Sequence, residues 1–213
     1  MKHNAQTLTG ATMRRHTLLS SFALAAALGA GCARPDQVEP PAPVADSATI
    51  ARARTATASL GPELAGMLMG AMQKEGPAGA LAVCADSAQV RTARHSVDGV
   101  MIRRVGTRVR NSANAPDSLE SRLLAYLDEQ KLAGTMPDEI MEVARTGPDG
   151  AWELRYLKPV MLQEMCVTCH GARDAIPAQV QALIAERYPT DAAVDYAPGD
   201  LRGAVAVRIA LPK

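Results

Sequence analysis

The sequence predicts an α+β domain in which helices come first and an antiparallel sheet follows, and three observations support this prediction. Apolar residues recur at helical spacing from 48 to 74 and again from 78 to 94. Alternating apolar residues beside the turn sequence "GPDG" indicate a β-hairpin at 139–162. The segment "LRGAVAVRIAL", at 201–211, alternates in the same way and predicts a further strand.

The first half of the domain is predicted to contain three helices and one strand. The first helix should break at Gly61-Pro62, because proline removes a backbone donor and clashes with the preceding turn. The second helix, which is rich in alanine, carries Cys84. The Val- and Ile-containing segment "DGVMIRRVGTRVR" then predicts a strand, and "NSANAPDS" a loop with an N-cap. The amphipathic segment "SLESRLLAYLDEQKLAG" predicts a helix that ends at Gly134.

The second half is predicted to contain the hairpin, one more helix and the last strand. The helix "IPAQVQALIAERYP" has Pro177 in its first turn, where proline is well tolerated. In the hairpin and in the last strand the apolar side chains fall on alternate residues, which predicts one buried face for each strand. They are Trp152, Leu154, Tyr156 and Val160 in the hairpin, and Val205, Val207, Ile209 and Leu211 in the last strand.

The N-terminus has the features of an export signal. A basic stretch ending "MRRH" precedes the apolar run "TLLSSFALAAALGAG", which is too short to span a membrane comfortably. Cys32 follows at once, as in bacterial lipoproteins, although Gly29 stands where leucine is usual and plain cleavage nearby is the alternative. We therefore predict a signal at 1–31, a Pro-rich tether at 32–47 and the domain at 48–213, in a periplasmic protein held to the membrane by lipid on Cys32.

The most informative motif is Cys166-Val-Thr-Cys169-His170. Cys-x-x-Cys-His is the attachment sequence for c-type haem: each cysteine adds across one vinyl group, and the adjacent imidazole can bind the iron. A redox disulfide would not need the histidine, and a zinc site lacks a second pair of ligands at suitable spacing. A disulfide between residues three apart would be strained and would close almost no loop. The motif and the export signal together predict one covalent haem c.

The composition agrees with this cofactor and excludes one class of partner. Of the 213 residues 47% are hydrophobic but only 3% are aromatic, so the core must be built mainly from aliphatic side chains and could accommodate a large planar group. The formal net charge is +1, without a clustered basic face. The sequence therefore offers nothing to neutralise the phosphates of a nucleic acid.

The second axial ligand is left open by spacing alone. Cys84 lies in an apolar helical context, where a free cysteine is commonly a small buried hydrophobe. Free thiols in exported proteins tend to be oxidised, so an unpaired cysteine there is unusual, and ligation of the iron would explain why it stays unpaired. His95 lies about 16 Å further along the same helix in polar surroundings, which favours a surface or turn position. Met161 and Met165, close to the motif, are interpreted as lining of the pocket.

An ordered set of segments makes the chain resemble a known family. The set, which runs through about residues 50–211, comprises "GALAVCADSA", "RNSANAPDSLESRLL", "LRYLKPVMLQEMCVTCHG", "IPAQVQALIAERYP" and "PGDLRGAVAVRI". In this order they resemble the PAS-like single-haem c-type domain family, typified by a cyanobacterial haem protein. The resemblance implies a PAS-like antiparallel sheet with N-terminal and flanking helices and one covalently bound haem. It also implies iron ligated by His170 on the proximal side and Cys84 on the distal side.

The loop before the third helix matches the family pattern with one departure. Ser112 stands where the family commonly has its first proline, whereas Asn111, Asn114 and Asp117 are in place. The resemblance makes Asn114 a candidate haem-binding residue. Capping and turn formation are an equally good interpretation of Asn114 and Asp117.

Two functions are compatible with such a domain. The first is a redox or ligand sensor, in which reduction weakens the iron–sulfur bond and frees Cys84; its output would pass to a signalling protein partner. The alternative is a lipid-tethered monohaem cytochrome that carries electrons to and from a redox protein partner. Peroxidase-like catalysis ranks last because a bound Cys84 would block the open position that it needs, so we predict that the chain is not an enzyme.

Overall fold

The computed structural model describes residues 41–146 and 150–212. Helix α1 (Ser47–Ala82) leads through a π-helical turn (Val83–Ser87) into the short α2 (Ala88–Arg94). The next α-helix is α3 (Ser118–Ala133). Near the end of the chain lie the short α4 (Val167–His170) and α5 (Ala178–Arg187). The strands are β1 (Val100–Val105), β2 (Ile140–Arg145), β3 (Trp152–Met161) and β4 (Leu201–Ala210).

The four strands form one antiparallel sheet in the order β1-β4-β3-β2. The predicted hairpin pairs β2 with β3, with Val143 opposite Leu154; its turn residues 147–149 lie outside the described residues. The last strand lies between β1 and β3. The predicted α+β class with an antiparallel sheet is therefore confirmed.

The alternation predicted for the last strand matches the two faces of the sheet. On one face Val207 and Ile209 pack with Leu60 of α1 in the larger core cluster. On the other face Ala204 and Ala206 pack with the leucines of α3. Both faces of the strand are covered, and the small alanines let α3 approach the sheet closely.

The predicted break at Gly61-Pro62 is wrong, because α1 runs through both residues and its non-helical position is Gly76. Gly61 and Pro62 are exposed, so water can solvate the carbonyl that loses its hydrogen bond, while the fully buried Leu60 holds the helix on the sheet. Gly76 has φ +68°, a conformation that glycine adopts without steric cost. Beyond it the chain folds back along α1, so that Glu63 contacts His95 at the end of α2.

A buried ionic network fixes the start of α3. Asp117 is the N-cap and forms a capping box with Glu120. Asp117 also accepts hydrogen bonds from Arg155 at 2.6 Å and from Arg208 at 2.8 Å. Arg155 and Glu120 are 1% and 0% exposed and lie 3.1 Å apart. Because opposite charges are buried together, each offsets part of the cost of removing the other from water. The network links the N-terminus of α3 to both central strands, β3 and β4.

Strands β1 and β4 approach each other very closely where they leave the sheet. Gly203 has φ +145°, and a Cβ atom added to it would lie 2.1 Å from the carbonyl oxygen of Val105. On the other side, the pairing of β3 with β4 skips one residue: Val160 pairs with Gly203 and Met161 with Leu201. Such a bulge bends the strand and redirects the side chain of the skipped residue, which is Arg202.

Some predictions concern residues that the structure does not describe. The export signal at 1–31, Cys32 and the tether up to residue 40 lie outside the described residues. Within 41–146 and 150–212, no helix has both the length and the apolar character that a membrane span requires. The first described helix begins at Ser47, and the side chain of its N-cap Asp46 accepts a hydrogen bond from the backbone of Thr49.

Candidate functional site

The Cys-x-x-Cys-His motif lies on two short consecutive helical turns. A 3-10 turn, Glu164–Cys166, leads directly into α4, which ends at His170. Cys166 and Cys169 are free, partly exposed thiols. Gly171 ends the turn at a point where a Cβ atom would lie 2.6 Å from the carbonyl oxygen of Val167. Two adjoining turns therefore present both thiols and the imidazole within five residues.

His170 is held in a single tautomer by a backbone carbonyl. Its Nδ1 lies 2.7 Å from the carbonyl oxygen of Ala193, which can only accept, so Nδ1 carries the proton and Nε2 keeps a free lone pair. Burial lowers the pKa of His170 to about 3, and the charges of Arg202 and Arg110 add to this effect. The imidazole is therefore neutral at physiological pH and ready to bind a metal through Nε2.

A loop following α5 forms the support of the motif. The amide N–H of Tyr196 donates to the carbonyl of His170 at 3.0 Å, and that of Asp195 to the carbonyl of Gly171 at 2.8 Å. The Tyr196 ring meets the His170 ring edge to face at 6.4 Å. Beneath it, Tyr196 packs with Leu162, Cys166 and neighbouring side chains. The loop thus fixes the backbone of the motif as well as the imidazole.

A buried ion pair holds this loop in place. Arg110 donates to both carboxylate oxygens of Asp191 at 3.1 Å, and the two side chains are 8% and 4% exposed. The same guanidinium donates to the carbonyl of Cys169 at 2.6 Å and to that of Ala193 at 3.2 Å. Asp191 also accepts from the amide of Ala193 at 2.9 Å. One pair therefore positions both the second cysteine and the carbonyl that orients His170.

Cys84 lies on the π-helical turn between α1 and α2. The amide of Ala88 donates to the carbonyl of Val83, five residues back, as a π turn requires. Burial raises the pKa of the Cys84 thiol, an effect opposed by Arg104 and Arg110 and reinforced by Cys166. Leu81, three residues before Cys84, packs in one cluster with Cys169, so Cys84 lies in the same region as the motif although it is 82 positions before Cys166 in the sequence.

The other predicted site residues have partners that explain their positions. Asn114 accepts a hydrogen bond from Gln89 of α2 at 2.9 Å, which ties its loop to the helix that follows Cys84. Its role in haem binding stays a prediction. His95 is the C-cap of α2 and lies 2.7 Å from Glu63. Met161 packs against the cluster beneath α3.

The assembled side chains offer two thiols, one neutral imidazole and a further thiol. Within the described part of the chain, no group of three or more His, Cys, Asp or Glu residues is arranged to hold a metal ion by itself. Cys166, Cys169 and the Nε2 atom of His170 could hold a cofactor that brings its own metal, with the imidazole as a donor to that metal.

Sequence reasoning missed the residues that support the motif. Arg110 and Asp191, together with the loop residues Ala193 and Tyr196, were not singled out. No local signal identifies them, because Arg110 and Asp191 lie 81 residues apart and their pairing depends on the fold.

Comparisons with known proteins agree with the resemblance drawn from the motifs. The family model Tll0287-like matches residues 33–210. Among solved structures, the crystal structure of the cyanobacterial heme-protein Tll0287 superposes with a TM-score of 0.62 at 25% sequence identity, covering 79% of this chain and 99% of that one. Among curated proteins, no sequence matches. With nearly the whole domain matched by the family model, the chain belongs to the Tll0287-like family.

Proposed function

We propose that this chain binds one haem covalently, through thioether bonds from Cys166 and Cys169, with His170 Nε2 and the sulfur of Cys84 as the two axial donors. The observation that carries the proposal is the hydrogen bond from His170 Nδ1 to Ala193, which leaves Nε2 free beside two thiols at the required spacing. The structurally similar cyanobacterial protein is a heme-protein, which supports the same cofactor here. When bound, haem supplies a one-electron redox centre.

The proposed role is that of a redox or ligand sensor outside the cytoplasm. Its support is the π-helical turn that carries Cys84, since such turns inside α-helices are frequent at functional sites. Release of the Cys84 sulfur would allow the turn to rearrange. The change would reach α2 and, through the hydrogen bond between Gln89 and Asn114, the loop before α3. A protein partner would read this change.

Electron transfer is the second candidate, and the exposure of the residues beside the motif favours it. The residues that flank the motif, Gln163 and Glu164 before it and Ala172 and Arg173 after it, are exposed, so a redox partner could approach a haem attached to this segment. The proposed location, periplasmic and lipid-anchored at Cys32, suits both roles and rests on the sequence pattern at the N-terminus. Recovery of the tagged full chain in the soluble cytosolic fraction would contradict this location.

Ligation by Cys84 is tested by the variant Cys84→Ser. The wild-type protein, made with a working cytochrome maturation system, should keep its pigment in acidified organic solvent and show a low-spin ferric spectrum with thiolate character. Cys84→Ser should become high-spin or acquire another ligand, because a hydroxyl is a poor donor to ferric iron. The matched control is His95→Gln, which removes a side chain paired with Glu63 and should leave the spectrum unchanged. A wild-type spectrum in Cys84→Ser would exclude Cys84 as a ligand, and extractable pigment would exclude covalent attachment.

Binding of carbon monoxide separates the two roles. The reduced protein should bind carbon monoxide if Cys84 leaves on reduction, as a sensor requires. Stopped-flow mixing with a reduced periplasmic cytochrome measures the alternative directly. Fast electron exchange without any binding of carbon monoxide would support the shuttle and contradict the sensor.

A further inference from the structure

Two arginines on the paired strands β1 and β4 have charges that no described carboxylate neutralises. The Nε atom of Arg104, on β1, is buried and has no hydrogen-bond partner, and no carboxylate oxygen in the described part of the chain lies within 4.0 Å of its guanidinium. Arg202, the residue at the bulge of β4, donates to the backbone carbonyl of Arg108 at 3.1 Å. It, too, has no carboxylate partner among residues 41–146 and 150–212.

The other two arginines of the site, Arg108 and Arg110, do have partners for their guanidinium groups. Arg110 is neutralised by Asp191. Arg108 lies 3.5 Å above the ring of Tyr196 and donates to the carbonyl of Val194 at 2.8 Å. Arg202 lies over the same ring at 5.3 Å, and the buried hydroxyl of Tyr196 has no partner with hydrogen-bonding geometry. Of the buried side-chain atoms without a partner, Arg104 Nε and the Tyr196 hydroxyl, which lies beside Arg202, belong to this region, and the other two lie in the ionic network at the start of α3.

Such an arrangement is costly unless an anion joins it. A buried donor without an acceptor costs about 1–3 kcal/mol, and more when it belongs to a charged group. Burial lowers the pKa of both Arg104 and Arg202; the charge of Arg202 adds to the lowering for Arg104, and the charge of Arg110 adds to it for Arg202. Two guanidinium groups on paired strands, neither with a carboxylate oxygen within 4.0 Å in the described part of the chain, favour a ligand that carries negative charge.

We propose that Arg104 and Arg202 form an anion site for the two carboxylates of the porphyrin, so that this inference rests on the proposed function. A haem carries two propionate groups on one edge, and two guanidinium groups without carboxylate partners match them in number and in charge. Arginine suits this task because its planar donors can bind a carboxylate through two parallel hydrogen bonds. Arg104 is the stronger half of the site, since Arg202 already uses one donor on a carbonyl.

The position of the pair agrees with the orientation of the proposed ligands. The guanidinium of Arg202 lies beside β1, since a Cβ atom added to Gly106, two residues after Arg104, would be 3.2 Å from its Nη1. Arg202 also contacts Tyr196, whose ring meets that of His170. The pair thus lies on β1 and β4 beside the ring that contacts the proposed proximal donor, where it would fix the rotation of the macrocycle as well as its charge.

The test compares haem with haem dimethyl ester, in which both carboxylates are masked. The parent is the full chain carrying Cys166→Ala and Cys169→Ala, so that the porphyrin binds reversibly and its affinity can be titrated. We expect haem to bind about tenfold more tightly than the ester, as one or more charge-assisted hydrogen bonds imply. Adding Arg104→Met should remove most of this preference, because it should lower the affinity for haem and leave the affinity for the ester nearly unchanged. The matched control Arg122→Met replaces an exposed arginine of α3 and should leave the preference intact.

A second measurement uses the protein with covalently attached haem. It tests the proposal even if the Cys166→Ala, Cys169→Ala parent does not bind haem. Arg104→Met should lower the thermal midpoint of the loaded protein but raise or preserve that of the haem-free protein, because only the loaded form has an anion beside the guanidinium. A preference for haem that persists in Arg104→Met, or equal loss of stability with and without haem, would overturn the proposal. A colourless wild-type protein would instead contradict the proposed haem itself, so the two failures are distinguishable.

Discussion

Replacing Asp191 with alanine is expected to lower the free energy of unfolding by about 3–5 kcal/mol, because it leaves Arg110 charged and buried without its partner. The two side chains are 8% and 4% exposed, so water cannot take the place of the lost carboxylate. A domain of this size is stabilised by roughly 5–15 kcal/mol in total, so the loss would be a large part of its stability. Urea unfolding of the haem-free full chain, followed by circular dichroism, measures the change.

Asp191→Ala should also loosen the hydrogen bond that orients the imidazole of His170. Asp191 accepts a hydrogen bond from the amide of Ala193, whose carbonyl orients His170. A fraction of the variant protein should therefore load haem with weaker axial ligation, seen as a high-spin component in the ferric spectrum.

The control for Asp191 is Glu142→Ala, which breaks the exposed pair of Arg122 and Glu142. Those side chains are 60% and 33% exposed, and pairs of this kind contribute about 0–1 kcal/mol. The double variant Arg110→Met with Asp191→Ala should recover part of the lost stability, since no charge is then left buried. If Asp191→Ala were no worse than Glu142→Ala, the ion pair would not be the support that we describe.

Gly203→Ala is expected to destabilise the fold by about 3 kcal/mol or more. Its φ of +145° strains any residue with a Cβ atom, and that atom would lie 2.1 Å from the carbonyl oxygen of Val105. Relief of this clash requires β1 and β4 to separate next to Arg202. Thermal and urea unfolding of the haem-free protein measure the effect.

A second glycine provides the matched control for this substitution. Gly66 lies on an exposed part of α1, and a Cβ atom there would have no heavy atom within 4 Å. Gly66→Ala should stabilise the protein by about 0.5–1 kcal/mol, because alanine favours the helix. Opposite signs for the two substitutions are the expected outcome. A mild effect of Gly203→Ala would show that the strands can separate easily at this point.

Features that depend on residues close together in the sequence could be predicted, whereas features that depend on distant residues could not. The alternation in the last strand, the hairpin and the helix from Ser118 to the stop at Gly134 were all predictable, because each depends on residues a few positions apart. The gap predicted between the helices at 48–74 and 78–94 agrees with the non-helical Gly76, whereas the additional break at Gly61-Pro62 was wrong for a related reason. Proline at 62 is unfavourable locally, but packing of Leu60 against the sheet outweighs that cost.

The site divides in the same way. By itself the sequence determined the two thiols and the imidazole of one short turn, since their chemistry is set by a spacing of five consecutive residues. Only the tertiary structure decided what holds and surrounds them: the pairing of Arg110 with Asp191, the carbonyl of Ala193 on the imidazole, and the π-helical turn under Cys84. The physical reason is that burial and charge pairing arise when segments as far apart as 81 residues fold against each other, and no local pattern records which segments will meet.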